Sequence, residues 1–373
     1  MMKKIIQYFI IFIMFIVTVI YTPVLAYGYD DYEDAGIDIE KLDNVMIDET
    51  EGRFSFSEIL TDIVSGDKGI IGNIVEIIKE AIVNEFSYHK DTLIKIIAIA
   101  IFLALLSNVM VVFSNSDFSE TGFFIVYLLL VEVLIAAFIN MINETSALIT
   151  SVMSFMHCLV PAFFLSVGLS TGITTSTGMC AITLTVMTVV EFIICKILLP
   201  VISIYVTLSL VSIVSKENSL SKMGEAIYSF VNWSVRTLVG VILGLNVIKC
   251  MILPSADMAG SKTLTGIVSM IPIIGNTVGG ASKLLVSSGT VIRNSIGGAG
   301  VVALVIIGLI PIVKLLVYML LYKIMTIIVE PISDKRVVDA IEVIFKGAGM
   351  LYKVCIASII LFAASIAVVC TMT

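Results

Sequence analysis

Long apolar runs constrain this chain more than any other feature. They lie near 93–113, 121–142, 148–168, 178–214, 235–253, 298–329 and 354–372, and each supplies the roughly 20 residues a helix needs to cross a hydrocarbon core. Apolar types make up 59% of the 373 residues and charged types only 14%, too little polar surface to wrap a water-soluble globule of this size. Lipid is therefore expected to be part of the solvent. The run from Gly178 to Val214 would extend about 55 Å as a helix, so it is expected to divide near Lys196 and Pro200 into a helical pair. The run around Pro311 and Lys314 reads as one kinked helix or two. The expectation is an all-α, polytopic integral membrane protein with about eight transmembrane helices.

Charge is unevenly placed. Tyr27 to Asp91 holds 17 of the 29 acidic residues and five of the 22 basic ones, leaving 17 basic against 12 acidic residues elsewhere. That split predicts an acidic region on one side of a bilayer and basic loops on the other, and gives nucleic-acid binding nothing to rest on. Residues 1–26 read as a signal peptide: Lys3 and Lys4, an apolar run from Ile5 to Ile20, then the small residues Val24 and Ala26. An uncut signal anchor is the alternative. Residues 27–92 are expected to form an acidic extracytoplasmic head and 93–372 a polytopic membrane domain. Within the head, Asp30 to Glu51 has few large apolar residues and reads as a flexible arm. From Phe54 to Phe86 apolar residues recur at steps of three and four, which predicts amphipathic helices.

From Ser261 to Gly297 the chain is rich in Ser, Thr and Gly, carries Lys262, Lys283 and Arg293, and contains Pro272 and Gly275. Such a stretch is unfit to cross lipid alone, because backbone freed from helical pairing is tolerated at membrane depth only inside protein or along water. A re-entrant or interior segment is expected, with a surface loop as the alternative. Sliding the chain by 111 residues brings Pro161 onto Pro272, Gly168 onto Gly279, Gly178 onto Gly289 and Pro200 onto Pro311; a three-residue gap then places Glu225-Ala226-Ile227 on Asp339-Ala340-Ile341. The ordered matches predict a parallel internal repeat with halves at about 142–252 and 253–371. Its basic stretches, around Lys216 to Ser234 and Lys323 to Lys353, fit the cytoplasmic side.

Catalytic patterns are missing from the sequence. Neither HExxH nor GxxxxGK[ST] occurs, and His89 and His157 are the only histidines. The reading is of a non-enzyme without metal or cofactor. All six cysteines fall within or beside apolar runs and read as small apolar filler. Among ionisable residues in apolar runs, Glu132 sits mid-run with no opposite charge within a turn. A central charge costs about 2.5–3.5 kcal/mol on insertion scales, so Glu132 is a candidate for facing an interior, either as a functional group or as packing. With Pro272, Gly275, Asn276, Gly279, Lys283, Arg293 and Gly297 it makes up the candidate interior polar or pathway set.

Ile271-Pro272-Ile273-Ile274-Gly275, followed by Ser287-Ser288, Val291-Ile292-Arg293-Asn294, Gly297 and Gly300, resembles the signature segment of the stage III sporulation protein AE family. The exported N-terminus, acidic head and polytopic body agree with that layout over the whole chain. Asn276 stands where a second glycine is expected, and Gly279 or Gly280 replaces an expected acid, so no role of that acid carries over. The resemblance implies a mother-cell membrane component, facing the forespore, of the channel-like complex that joins the two cells. Implied partners are the other stage III sporulation A operon proteins, an ATPase among them, and through them the forespore protein Q. A homo-oligomer is also open. The rival readings are a self-contained secondary transporter and a membrane scaffold.

Overall fold

The computed structural model describes residues 38–65, 69–112, 116–171, 173–215, 218–268 and 275–370, and among these every regular element is helical. The expected signal peptide (1–26) and Pro272 lie outside the described residues. In chain order the elements are α1 (Ile39–Glu49), α2 (Phe56–Ser65), α3 (Gly69–Val112), α4 (Ser116–Thr171), α5 (Ile173–Phe192), a π-helical turn (Ile193–Leu198), α6 (Leu199–Ser215), α7 (Asn218–Val268), α8 (Gly275–Val329) and α9 (Lys335–Cys370).

Five stretches among the described residues are long and apolar enough to cross a membrane: Thr121–Gly168, Ser176–Ser215, Ser219–Ile248, Ile292–Val329 and Lys335–Cys370. The described residues thus give five such stretches where about eight spans are expected. The runs 121–142 and 148–168 belong to one helix, α4, because the polar segment between them, Asn143-Glu144-Thr145-Ser146, contains no glycine or proline. Thr145 even returns its hydroxyl to the Met141 carbonyl at 2.8 Å and stays helical. The expected hairpin at Lys196 and Pro200 is likewise replaced by an unbroken path from α5 into α6. Pro200 lacks an N–H and its ring crowds the carbonyl four residues back. The wide π turn just before it, closed by Leu199 N–H on the Ile194 carbonyl, absorbs that defect without a break. Pro311 is also carried inside a continuous helix, α8.

The middle of the bundle is formed by α4, α8 and α9, packed closely at glycines. A Cβ on Gly300 would lie 2.5 Å from Leu159 Cδ2, and one on Gly347 would lie 2.7 Å from both Phe138 and Val206. α4 and α8 run antiparallel, since Gly300 meets Leu159 and Lys314 meets Glu144. The connection from α8 to α9 is made by Pro331-Ile332-Ser333-Asp334, where the Asp334 carboxylate accepts from Arg336 N–H at 2.8 Å. Gly224 of α7 lies against Ser209 of α6, and α7 runs alongside α9 through Asn232–Lys353 and Asn246–Ser365 contacts of 2.6 and 3.0 Å.

The expected flexible arm is ordered from Ile39. Ile39, Leu42 and Met46 fall on one face of α1 and are buried, while acidic residues occupy the other face. Three apolar residues at helical spacing suffice where a neighbour offers a surface to cover. α1 and α2 share the bundle's core, with the rings of Phe56 and Phe155 6.1 Å apart. The turn between them uses left-handed backbone at Glu51 (φ 56°) and Gly52 (φ 75°), and Thr50 Oγ1 closes it on the Met46 carbonyl at 2.6 Å.

Candidate functional site: a polar cleft among apolar helices

Uninterrupted α4 places Asn140, Asn143 and Glu144 on one face in the middle of an otherwise apolar helix. Opposite them α8 carries Lys314 and Tyr318, and α3 carries Glu80, Asn84 and Glu85. Together with Glu51 and Arg53 of the α1–α2 turn they line a cleft of about 710 Å³. A second space of about 140 Å³ adjoins it, between the turn, Glu144, Pro311 and Lys314.

Each carboxylate of the cleft has a basic neighbour, although the four acids outnumber Arg53 and Lys314 two to one. Lys314 Nζ lies 3.4 Å from Glu144 Oε2, Arg53 lies 4.0 Å from Glu80, and His89 Nε2 lies 2.9 Å from Glu85 Oε1 one turn away on α3. The His89 ring also meets the Tyr318 ring edge-on at 4.3 Å. Burial opposes ionisation of Glu85. The hydrogen bond from His89, the charges of Lys314 and His89, and a Tyr318 hydrogen bond outweigh it and hold the carboxyl below its ordinary 4.5. The cleft can therefore keep water and charged groups among apolar helices without stranding a lone charge.

A further cleft of about 500 Å³ lies where α6, α7 and α9 meet and is lined by Tyr205, Ser209, Glu225, Tyr228, Asp339, Glu342 and Lys346. Glu225 and Asp339, paired by the 111-residue offset only after its three-residue gap, thus line one space.

The residues singled out from the sequence do not form one site. Glu132 is exposed on α4, directed away from the bundle's interior. Gly275, Asn276, Gly279 and Lys283 belong to the helical start of α8, and their side chains are outside what the structure describes. Within the stretch from Ser261 to Gly297, the described portions 261–268 and 275–297 are helical. Arg293 is 2% exposed and donates to the Cys370 carbonyl at 3.3 Å, which supports the end of α9, where carbonyls lack helical partners. Gly297 packs against Phe163 and Cys370. These two residues hold the α4–α8–α9 junction. Asn140, Asn143, Glu144, Glu85, His89 and Tyr318 escaped the sequence reading. Their spacing of i, i+3, i+4 on α4 is a signal only once the helix is known to continue through them.

A bundle of long apolar helices that carries a polar cleft is the kind of protein that works at a membrane. The profile of the stage III sporulation protein AE family matches residues 54–373, and the chain belongs to that family. It is similar to stage III sporulation protein AE of Bacillus subtilis (strain 168), with 23% identity over 283 residues covering 75% of this chain and 70% of the relative. No solved structure matches it. Family membership ties the protein to sporulation.

Proposed function

We propose that the protein is a non-enzymatic, multi-pass membrane component of the channel-like complex between mother cell and forespore, with its N-terminal region outside the mother-cell cytoplasm. The observation that carries this reading is the family match over 54–373 on a chain in which two candidate spans, Thr121–Gly168 and Ile292–Val329, line a polar cleft. The signal-like pattern of residues 1–26 and the basic residues around Lys335 and Arg336 support that orientation. The duplication is supported by two successive pairs of long helices, 173–215 with 218–268 and 275–329 with 335–370. It is supported too by Glu225 and Asp339 sharing a cleft. Repeats of this kind frame pathways at their interface. The partners would be the other stage III sporulation A operon proteins and, through them, the forespore protein Q.

Deleting the gene should stop spore development, and the protein should appear only in mother-cell membranes of sporulating cells and co-purify with those partners. Normal spores, or equal abundance in growing cells, would overturn the assignment. A self-contained secondary transporter is the second reading, favoured by the charged cleft itself. Solute flux by the purified chain alone in liposomes would select it over the complex subunit.

A further inference from the structure

Three helices turn polar faces into the cleft of about 500 Å³ where α6, α7 and α9 meet. On α9, Asp339, Glu342 and Lys346 follow one another at i, i+3 and i+7, and on α7 Glu225 and Tyr228 stand one turn apart. The cleft lies at the end of the bundle where α6 gives way to α7 and α8 to α9, because Ser212 is one turn from the end of α6 and Asp339 one turn from the start of α9. Its three carboxylates face a single lysine. Lys346 is taken by Glu342 at 3.1 Å, whereas among the described residues no ion pair or hydrogen bond holds Glu225 or Asp339. Glu225 and Glu342 both lie within electrostatic reach of the Tyr205 hydroxyl, and Glu342 within reach of Asp339, so negative charge from two helices converges on one space. Among the described residues no group of carboxylates closes on a point that could hold a metal ion. A complementary cation must therefore be extended. Aromatic rings form the other wall: Tyr205 and Tyr228 stand 5.8 Å apart between ring centres at 44°. Tyr228 already accepts a cation, with Lys353 Nζ 5.6 Å from its centre.

We propose that this cleft docks an arginine side chain carried on a basic, extended segment of a partner protein: the guanidinium lies against the Tyr205 and Tyr228 rings and pairs with Asp339 and Glu225. A planar guanidinium stacks on a ring and bonds carboxylates at once, which a lysine ammonium does not. The exposed hydroxyls of Ser221 and Ser229, which also line the cleft, suit the amide groups of a peptide backbone; a bare polyamine has no use for them. Clefts of about 300–1,000 Å³ accommodate ligands of several residues' size. The inference goes beyond the sporulation assignment and does not require it.

The test uses the full-length protein in nanodiscs of phosphatidylcholine, a lipid without net charge that does not itself attract a basic peptide. Binding of a fluorescein-labelled peptide, Gly-Arg-Gly-Arg-Gly, is followed by fluorescence anisotropy against two controls of the same length, one with lysine and one with uncharged citrulline in place of arginine. The arginine peptide should bind best and the citrulline peptide least. Glu225→Gln and Asp339→Asn should each lower the affinity for the arginine peptide by about fivefold, and Tyr228→Leu should remove the advantage of arginine over lysine. Because a variant can misfold, a benzophenone-bearing arginine peptide is also cross-linked to the wild-type protein, where labelled fragments should fall within 205–229 and 339–346. Equal binding of the citrulline peptide, unchanged affinity in both acid variants, or labelling elsewhere would overturn the proposal. Displacement of the peptide by an equal concentration of spermidine would overturn it too, since the cleft would then take any organic cation. The assay reads the purified protein, so its failure leaves the sporulation assignment standing, and normal spores after gene deletion would leave this site standing.

Discussion

Gly347 sits where α9 is pinched between α4 and α6, with Phe138 and Val206 each 2.7 Å from the place a Cβ would take. A methyl group there has two walls to displace, and one is an aromatic ring. Gly347→Ala should destabilise the folded protein by about 1–3 kcal/mol, read as a lower thermal midpoint in detergent; an unchanged midpoint would mean that both walls yield. Glu85 offers a second handle. Its folded pKa is lowered below 4.5, so its contribution is fully present above that ordinary value and is lost as pH falls through the lower folded value. Acidification through that window should weaken the wild type, and Glu85→Gln should flatten the response. If the two proteins respond alike, the network with His89, Tyr318 and Lys314 does not couple to folding. At this scale Glu132 and Arg293 were both visible in sequence as charges out of place. Their surroundings were not: one faces outward and the other supports the α9 terminus, a difference set by helix phase and by a partner 77 residues away in the chain.

Among the elements, α1 and α2 test how much a short amphipathic hairpin depends on its neighbour. Phe56 is fully buried against Phe155, and Phe56→Ala should cost about 3–5 kcal/mol, a loss large enough to undock the hairpin. Limited proteolysis should then cut within 39–65 before it cuts elsewhere; retained protection would place the docking energy in Met46, Phe54 and Ile59 instead. Arg293→Met should speed amide exchange in the last turn of α9, because the partly buried carbonyl end at Cys370 loses a charged donor. Exchange rates matching the wild type would show that this support is redundant. The amphipathic pattern from Phe54 onward was legible because period and burial agree. α1 was not, because its three buried residues are diluted by acids that face outward. Helix boundaries differ from the sequence expectation at the polar segment Asn143 to Ser146 and at Pro200, where the apolar pattern is interrupted and the helix is not. Polarity alone does not end a helix: Asn143 to Ser146 keep their backbone bonds, and Pro200 is absorbed by one wide turn.

For the molecule as a whole, the exposed large apolar residues among those described extend from Ile47 through Phe102, Leu129, Val189 and Trp233 to Ile332. The full-length protein should require detergent or lipid to stay monodisperse, and gel filtration in plain buffer measures this; a discrete soluble species would end the membrane reading. The candidate spans Thr121–Gly168 and Ile292–Val329 have 48 and 38 residues, about 72 and 57 Å as helix against a hydrocarbon core of about 30 Å. Such helices reach well past a single bilayer core, so parts of them must be covered by protein or by water. The polar cleft at Glu144 and Lys314 occupies that kind of position.

Sequence alone determined that the chain is helical and apolar enough to cross membranes, and the Ile271–Gly300 pattern pointed to the family. Those properties are local: they follow from side-chain transfer energies, helical period and a contiguous pattern. Which polar residues meet was decided only by tertiary structure. Glu144 and Lys314 are 170 positions apart, and they meet because α4 passes unbroken through its polar middle and lies antiparallel to α8. Helix continuity and close packing at Gly300 and Gly347 set that register, and neither is encoded in hydropathy.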